Sequence, residues 1–332
     1  MRIALDAMGS DRAPAVEVEG AVGALRELEG DFTMVLVGDR EQIEAELARY
    51  PDAPRDRVEV VHASQKIEMG EAPAQAIRRK QDSSIVKGLT LHKKGEVDAF
   101  ISAGSTGAVM AGSLFILRPL PGVDRPAIGT VFPTAAGHTI VLDSGANVDT
   151  RPAQLLQFAR LGIIYAQDLM GVESPRVGLL NIGEEPEKGD ERSVETYQLL
   201  SEAAGVNFVG NVEGRDIIHD RCDVLVCDGF VGNVLLKFYE SIAGFIIHLL
   251  KQEVGAKGLD IDLDRVFRAL DYTEAGGAPL LGVNGITIIC HGGSPARAIR
   301  NAIRVAQRSV QRGMVAHIAR ELARPAESPQ EP

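Results

Sequence analysis

The sequence predicts an α/β protein, a three-layer fold on a largely parallel sheet in two domains with a cleft between them. Three observations carry this expectation. Six short apolar runs each stop at a polar residue with glycine next to it or close behind. Segments of helical period alternate strictly with apolar runs up to Leu117, the pattern of parallel crossover units. Arg118-Pro-Leu-Pro-Gly122 then breaks the rhythm and marks the domain boundary.

In order, strand 2–6 carries Ile3-Ala4-Leu5 into Asp6 and Gly9, and helix 14–28, strand 32–37, helix 40–49 and strand 57–62 follow. A helical stretch at 72–94, in one or two pieces, precedes strand 97–102, whose Ala99-Phe100-Ile101 runs into Ser102 and Gly104, and helix 105–117. Strands 126–132 and 138–143, joined by Pro133 to Gly137, read as an antiparallel excursion, the second carrying Ile140-Val141-Leu142 into Asp143, Ser144 and Gly145. Thr150 and Pro152 start a helix to 170. Strand 176–182 leads into Asn181 and Gly183, and helix 190–204, strand 206–211, strand 223–228 ending at Asp228 and Gly229, and helix 231–253 come next. Strand 286–290, entering His291 and Gly292, and helix 294–318 return to the first domain. The expected division is 1–120 with 283–332, and 121–282 carrying dimerisation helices. No solenoid repeat is visible.

The 332 residues, 45% hydrophobic and 24% charged, suit one large or two ordinary cores, with disorder expected only in the tail from Arg324 to Pro332. A net charge of −11 and a pI near 5.2 argue against a general nucleic-acid binder, which needs a basic face. Three cysteines, Cys222, Cys227 and Cys290, cannot all pair, and two of them end strand-like runs, which reads as a reducing cytosol. No cysteine or histidine spacing suits zinc, so neither a metal nor another cofactor is expected. Arg2 and the early Asp6 argue against a signal peptide. The uncharged stretch Ala99 to Leu117 is long enough to raise a membrane span but too rich in Gly, Ser and Thr to be one.

In open α/β sheets ligands bind beyond the carboxyl ends of the strands, where glycine lets N–H groups approach an anion. The same polar residues also make ordinary turns and helix caps. Ile101-Ser-Ala-Gly-Ser-Thr-Gly-Ala108 offers N–H donors and three hydroxyls at a strand-to-helix turn, though it lacks the lysine of a P-loop and is not GxGxxG. Asp143-Ser-Gly-Ala-Asn147 is similar, with the Asn147 amide as donor. Within Asn181 to Asp190, Lys188 is the only cation among Glu184, Glu185, Glu187 and Asp190, although a charged surface loop would look the same. Asp228 reads first as a cap for the helix that follows it, while Asn233 and Lys237 share a helical face one turn apart. No GxSxG elbow, HExxH or CxxC appears, so a covalent nucleophile is not indicated.

Taken jointly, Ile3-Ala-Leu-Asp-Ala-Met-Gly-Ser-Asp-Arg-Ala-Pro14, Ile101-Ser-Ala-Gly-Ser-Thr-Gly107, Leu142-Asp-Ser-Gly-Ala-Asn147, Asn181-Ile-Gly-Glu-Glu185, Asn211-Val-Glu-Gly214, Cys227-Asp-Gly-Phe-Val-Gly-Asn233 and His291-Gly-Gly-Ser294 resemble the bacterial phosphate acyltransferases of phospholipid synthesis, from residue 1 to about 310. Ser10 departs from the pattern, where a second glycine is expected. The resemblance implies a homodimer with a fold similar to the phosphotransacetylase and isopropylmalate dehydrogenase group. It also implies transfer of a fatty acyl group from acyl carrier protein to inorganic phosphate, giving acyl phosphate for a membrane glycerol-3-phosphate acyltransferase.

On that reading Ser102, Gly104, Ser105 and Thr106 bind phosphate, and Lys188 and Asn233 stabilise oxyanion or phosphate. Asp6, Asp143, Asn147, Asn181, Asp228 and His291 line the same edge. An acidic carrier protein needs a local basic patch, for which Arg78, Arg79, Lys80, Lys87, Lys93 and Lys94 compete with Arg297, Arg300, Arg304, Arg308 and Arg312. Helix 231–253, with Phe238 and Phe245-Ile-Ile-His-Leu-Leu250, is more apolar than a core-facing stripe requires. It reads as a dimer surface, with peripheral attachment of a cytoplasmic enzyme to the inner face of the membrane as the alternative. Other functional readings are acyl transfer between acyl-coenzyme A and phosphate, a nicotinamide-dependent dehydrogenase of similar fold, and a non-catalytic carrier-protein binder.

Overall fold

A computed structural model describes residues 1–257, 274 and 276–323. The chain forms two compact units, Met1–Pro126 with the chain from Ala275 onward, and Ala127–Glu274. The expected disorder of 324–332 lies outside the described residues.

The first unit alternates β1 (Arg2–Asp6), α1 (Ala15–Glu27), β2 (Thr33–Gly38), α2 (Arg40–Leu47), β3 (Val58–His62), α3 (Pro73–Arg79), α4 (Ser84–Lys93), β4 (Ala99–Ser102) and α5 (Thr106–Gly112), the last continued by a π-type turn to Leu117. The chain later returns with β10 (Ala278–Leu281), β11 (Ile286–Ile289), α9 (Ala296–Gln311) and α10 (Met314–Ala323). Strands β3, β2, β1, β4 and β11 are neighbours in that order and all parallel, and β10 pairs antiparallel with β11. Alternate residues of a strand point to opposite faces, so the unbroken burial of Ile3 to Asp6, Ala99 to Ser102 and Ile286 to Ile289 means that both faces are covered. Helix α4 packs on β1, β2 and β4, and α9 packs on the same sheet and on α1. The approach of α1 to α9 is close: a methyl group on Gly20 would stand 2.7 Å from the Ile299 Cβ.

The first unit runs to Pro126 and not to 120, and two further differences from the sequence reading have a clear local cause or placement. The helix expected over 294–318 is broken, because Arg312 ends α9 and Gly313 takes a left-handed φ of 64° that a glycine tolerates. The segment Ala278–Leu281, expected in the second domain, is a strand of the first unit.

The second unit comprises β5 (Ala127–Pro133), β6 (His138–Leu142), α6 (Pro152–Tyr165), β7 (Arg176–Asn181), α7 (Glu191–Glu202), β8 (Asn207–Glu213), β9 (Val224–Val226) and α8 (Gly229–Lys257). The antiparallel hairpin β5–β6 expected from the sequence is present, and β6, β9, β7 and β8 run parallel in that order. Side-chain alternation sorts its core into two layers. Leu142 and Val224 face α6, where a methyl on Gly162 would sit 2.4 Å from Val224. Val141 and Leu225 join Phe132, Val212 and Ile217 beneath Leu235, Leu236 and Tyr239 of α8. Phe132 and Tyr239 meet edge to face with centroids 5.1 Å apart.

Candidate active site

Each unit collects polar residues at the carboxyl ends of its parallel strands. In the first, β1 and β4 are neighbours, so their ends meet: the Ser102 hydroxyl donates to Asp6 Oδ2 at 2.7 Å and accepts from Gly104 N–H at 3.0 Å. Asp6 Oδ1 accepts from Met8 N–H. Burial pushes the Asp6 carboxyl up, and the serine hydrogen bonds oppose it. Ser102 is wholly buried and its only hydroxyl proton is engaged, so it shapes the loop and has no proton to offer a ligand. Gly9 is required there, since a methyl at that position would stand 2.6 Å from Gly104 N. Ser105 caps α5 by accepting from Ala108 N–H, and Thr106 is the exposed residue of the turn. The end of β11 joins this edge through Asp11, whose N–H donates to the Gly292 carbonyl at 2.9 Å. His291 is exposed, with Nδ1 accepting from Gly293 N–H.

Beneath this loop, Glu17 is fully buried and accepts from Ser10 N–H at 2.8 Å, while its second oxygen has no hydrogen-bond partner. Burial pushes its carboxyl up to about 7. The folded state therefore holds this proton more tightly than the unfolded chain. The stabilisation is complete below the ordinary glutamate value of about 4.3 and is lost as pH rises through about 7, a swing of about 3 kcal/mol. Glu17→Gln keeps the acceptor for Ser10 and removes the titration. Thermal melts are expected to show it level with the unmodified protein at pH 5 and more stable at pH 8.

In the second unit, Asp143 at the end of β6 is wholly buried and accepts five hydrogen bonds. Oδ1 takes Ile128, Gly145 and Ala146 N–H, and Oδ2 takes Asn147 N–H at 2.6 Å and its amide at 2.9 Å. Burial pushes the carboxyl up and these donors hold it down. The Asn147 amide, expected from the sequence as a free donor, is thus turned inward on Asp143. The next strand end packs against it: Gly229 N–H donates to the Asn147 carbonyl, and a methyl on Gly232 would fall 1.9 Å from the Asp143 carbonyl oxygen. Asp228 caps α8 by accepting from Val231 N–H, and its other oxygen takes Arg192 at 2.8 Å. Asn233, exposed on the first turn of α8, stands beside Gly145.

The loop after β7 is tied from two strands. Asn181 donates its amide to the Lys188 carbonyl and accepts Ile182 N–H, while Asn211 on β8 donates to the Glu185 carbonyl at 2.8 Å. Lys188 N–H closes on the same Glu185 carbonyl. Gly183 leaves room for the lysine stem, since a methyl there would stand 2.9 Å from Lys188 Cγ. The Lys188 ammonium is exposed and has no carboxylate partner among the described residues, and the Asn233 amide is likewise uncommitted.

The residue-by-residue outcome is thus mixed. Lys188, Asn233, Ser105, Thr106 and His291 present usable groups, whereas Asp6, Ser102, Asp143, Asn147, Asn181 and Asp228 hold the loops in shape. Sequence reasoning passed over Glu17 and Arg192, and it assigned no role to Asn211 within its motif. Arg192 carried a signal, because a cation in the first turn of a helix opposes the helix dipole unless a carboxylate such as Asp228 compensates.

Among solved structures the chain is similar to a phosphotransacetylase from Staphylococcus aureus, with 19% identity, a TM-score of 0.59 and coverage of 93% of this chain and 94% of that one. A phosphotransacetylase from Streptococcus pyogenes matches with 15% identity, a TM-score of 0.59 and 94% of each chain. The fold is therefore that of the phosphotransacetylase class of α/β proteins. A family model of fatty acid synthesis proteins matches residues 1–317. The phosphate acyltransferase of Halothermothrix orenii is 49% identical over 98% of this chain and 100% of that protein, and that of Pelotomaculum thermopropionicum is 51% identical over 92% and 91%. The chain belongs to this fatty acid synthesis family and is an acyltransferase that acts on phosphate.

Proposed function

We propose that the chain transfers a fatty acyl group from acyl carrier protein to inorganic phosphate, giving acyl phosphate for phospholipid synthesis. What supports the reading is full-length similarity to phosphate acyltransferases together with two uncommitted donors, Lys188 on a loop that Asn181 and Asn211 tether and Asn233 on the first turn of α8. A thioester is already activated, with a leaving thiol of pKa about 8.5 by analogy with cysteine. A phosphate oxygen attacks the carbonyl carbon, the C–S bond breaks, and the thiolate leaves with the electron pair and takes a proton from solvent. The protein must orient the reactants and stabilise the oxyanion. Gly104, Ser105 and Thr106 serve phosphate, and Lys188 and Asn233 serve the developing charge.

The test is thiol release from acyl-acyl carrier protein and from acyl-coenzyme A, each with and without phosphate and with no added nucleotide. Phosphate-dependent release from the carrier protein is expected. Faster release from acyl-coenzyme A would favour the phosphotransacetylase-like reading, and binding without release would leave a carrier-protein binder.

Of the two basic patches, the one on α3 and α4 suits an acidic partner better. Lys80 and Lys87 are paired with Glu71 and Asp82, but Arg78 and Arg79 are exposed without carboxylate partners among the described residues. The Arg78 guanidinium lies over the exposed Phe115 ring. On α9, Arg300 is engaged by Glu27.

Helix α8 carries exposed Phe230, Val234, Phe238, Ile242, Phe245 and Leu249 at three- and four-residue spacing, a stripe that a second copy of the chain would bury in a homodimer. The same helix, at Gly229–Gln252, is the one described segment long and apolar enough to cross a membrane, with mean hydropathy 1.4. A cytoplasmic dimer that touches the inner membrane face would hand acyl phosphate to a glycerol-3-phosphate acyltransferase there. Phe238→Glu places a charge in the stripe, and sedimentation is expected to show monomer where the unmodified chain is dimeric; an unshifted dimer would remove α8 from the interface.

A further inference from the structure

The second unit contains a mouth-open cavity of about 580 Å3 that none of the strand-end chemistry uses. Its floor is Leu155 of α6, Leu179 of β7, Ile217 of the turn after β8 and Cys227 after β9, all at least nine-tenths buried. Its rim is Ile182 on one side and Val231, Val234 and Phe238 of α8 on the other. Polar groups occur at one margin only: Asn181 at the end of β7, Asp190 and Ser193 at the start of α7, and the Arg192–Asp228 ion pair between α7 and the end of β9. The size falls in the usual range of small-molecule sites, and the pattern of apolar depth with one polar margin fits a ligand that is hydrocarbon along its length and polar at one end.

We infer that this cavity takes the hydrocarbon chain of the acyl donor, entering from the Asn181 and Asp228 margin. The inference rests on the acyl-transfer reading above and adds where that substrate lies. A second copy of the chain would cover the outward stripe of α8, whereas Leu155 and Leu179 lie buried beneath the rim. A single hydrocarbon chain is narrow enough to reach them. Each methylene that finds this surface raises kcat/KM by up to about fourfold, so the enzyme prefers longer chains until the cavity is full.

The experiment uses the full chain with acyl-acyl carrier protein donors of four to sixteen carbons, and a sixteen-carbon donor bearing a terminal diazirine as photolabel. Ile217→Phe narrows the floor, and Ile182→Trp narrows the mouth from an exposed position outside the α8 stripe. The ratio of kcat/KM for the sixteen-carbon over the four-carbon donor is expected to fall at least tenfold in both, with KM for phosphate unmoved. The label is expected on peptides containing Leu155, Leu179 or Ile217. An unchanged ratio in Ile182→Trp with label confined to the outer face of α8 or to the first unit would overturn the inference while phosphate-dependent thiol release in the unmodified protein still stood. Absence of that release with label in the cavity would defeat the acyl-transfer reading and leave the chain site supported.

Discussion

Lys188→Ala is expected to lower kcat by about a hundredfold to a thousandfold while leaving the fold intact. Loss of one preorganised donor to an oxyanion costs about that much in comparable acyl-transfer sites. The lysine suits the task because its backbone is fixed and its charge is free: Asn181 and the Glu185 carbonyl hold the loop, and the ammonium has no carboxylate partner among the described residues. Removing an exposed, unpaired side chain shifts stability by less than about 0.5 kcal/mol, so the thermal midpoint should not move. Lys188→Arg keeps the charge and should recover part of the rate. A value of kcat within threefold of the unmodified enzyme would take Lys188 out of the mechanism.

Asp143→Ala is expected to lose stability first and activity as a consequence. The carboxylate is the common acceptor for Ile128, Gly145, Ala146 and Asn147, and its removal leaves the buried Ile128 N–H without its acceptor. Stranding such groups costs about 3–5 kcal/mol, against a total stability of about 5–15 kcal/mol. The thermal midpoint should fall by about 10 °C. Hydrogen exchange should quicken at residues 143–147 and at the start of α8, which packs on that turn. A midpoint within 2 °C would mean that water replaces the carboxylate at little cost.

The contrast between these two residues shows what the sequence could reveal. The alternation of apolar runs and helical segments made the α/β class and most element boundaries legible, because burial on both faces of a parallel strand leaves a continuous apolar run. The positions of the polar strand ends were legible for the same reason. Their roles were not, because roles depend on which strands become neighbours. Ser102 reads as a phosphate ligand in isolation, yet the pairing of β4 with β1 brings Asp6 to it and engages its proton. Asn147 is turned inward by Asp143 in the same way. Lys188 was legible as a lone cation among acids, whereas Asn211 stood only in a motif, and its tether to the Lys188 loop, 23 positions away in sequence, was not legible. The apolar cavity was invisible for a further reason: its walls come from α6, β7, the turn after β8 and α8, and no one of them is unusual alone.

The three free cysteines have a practical consequence. Cys222, Cys227 and Cys290 are all buried, and burial pushes each thiol far up, Cys222 and Cys290 to about 12. Since the thiolate is the reactive form, the native enzyme is expected to react slowly with disulfide-exchange dyes and alkylating agents at neutral pH. Colour developed in such a dye during turnover therefore comes from the freed pantetheine arm of the donor, and sudden labelling of the enzyme itself would report that its interior had opened.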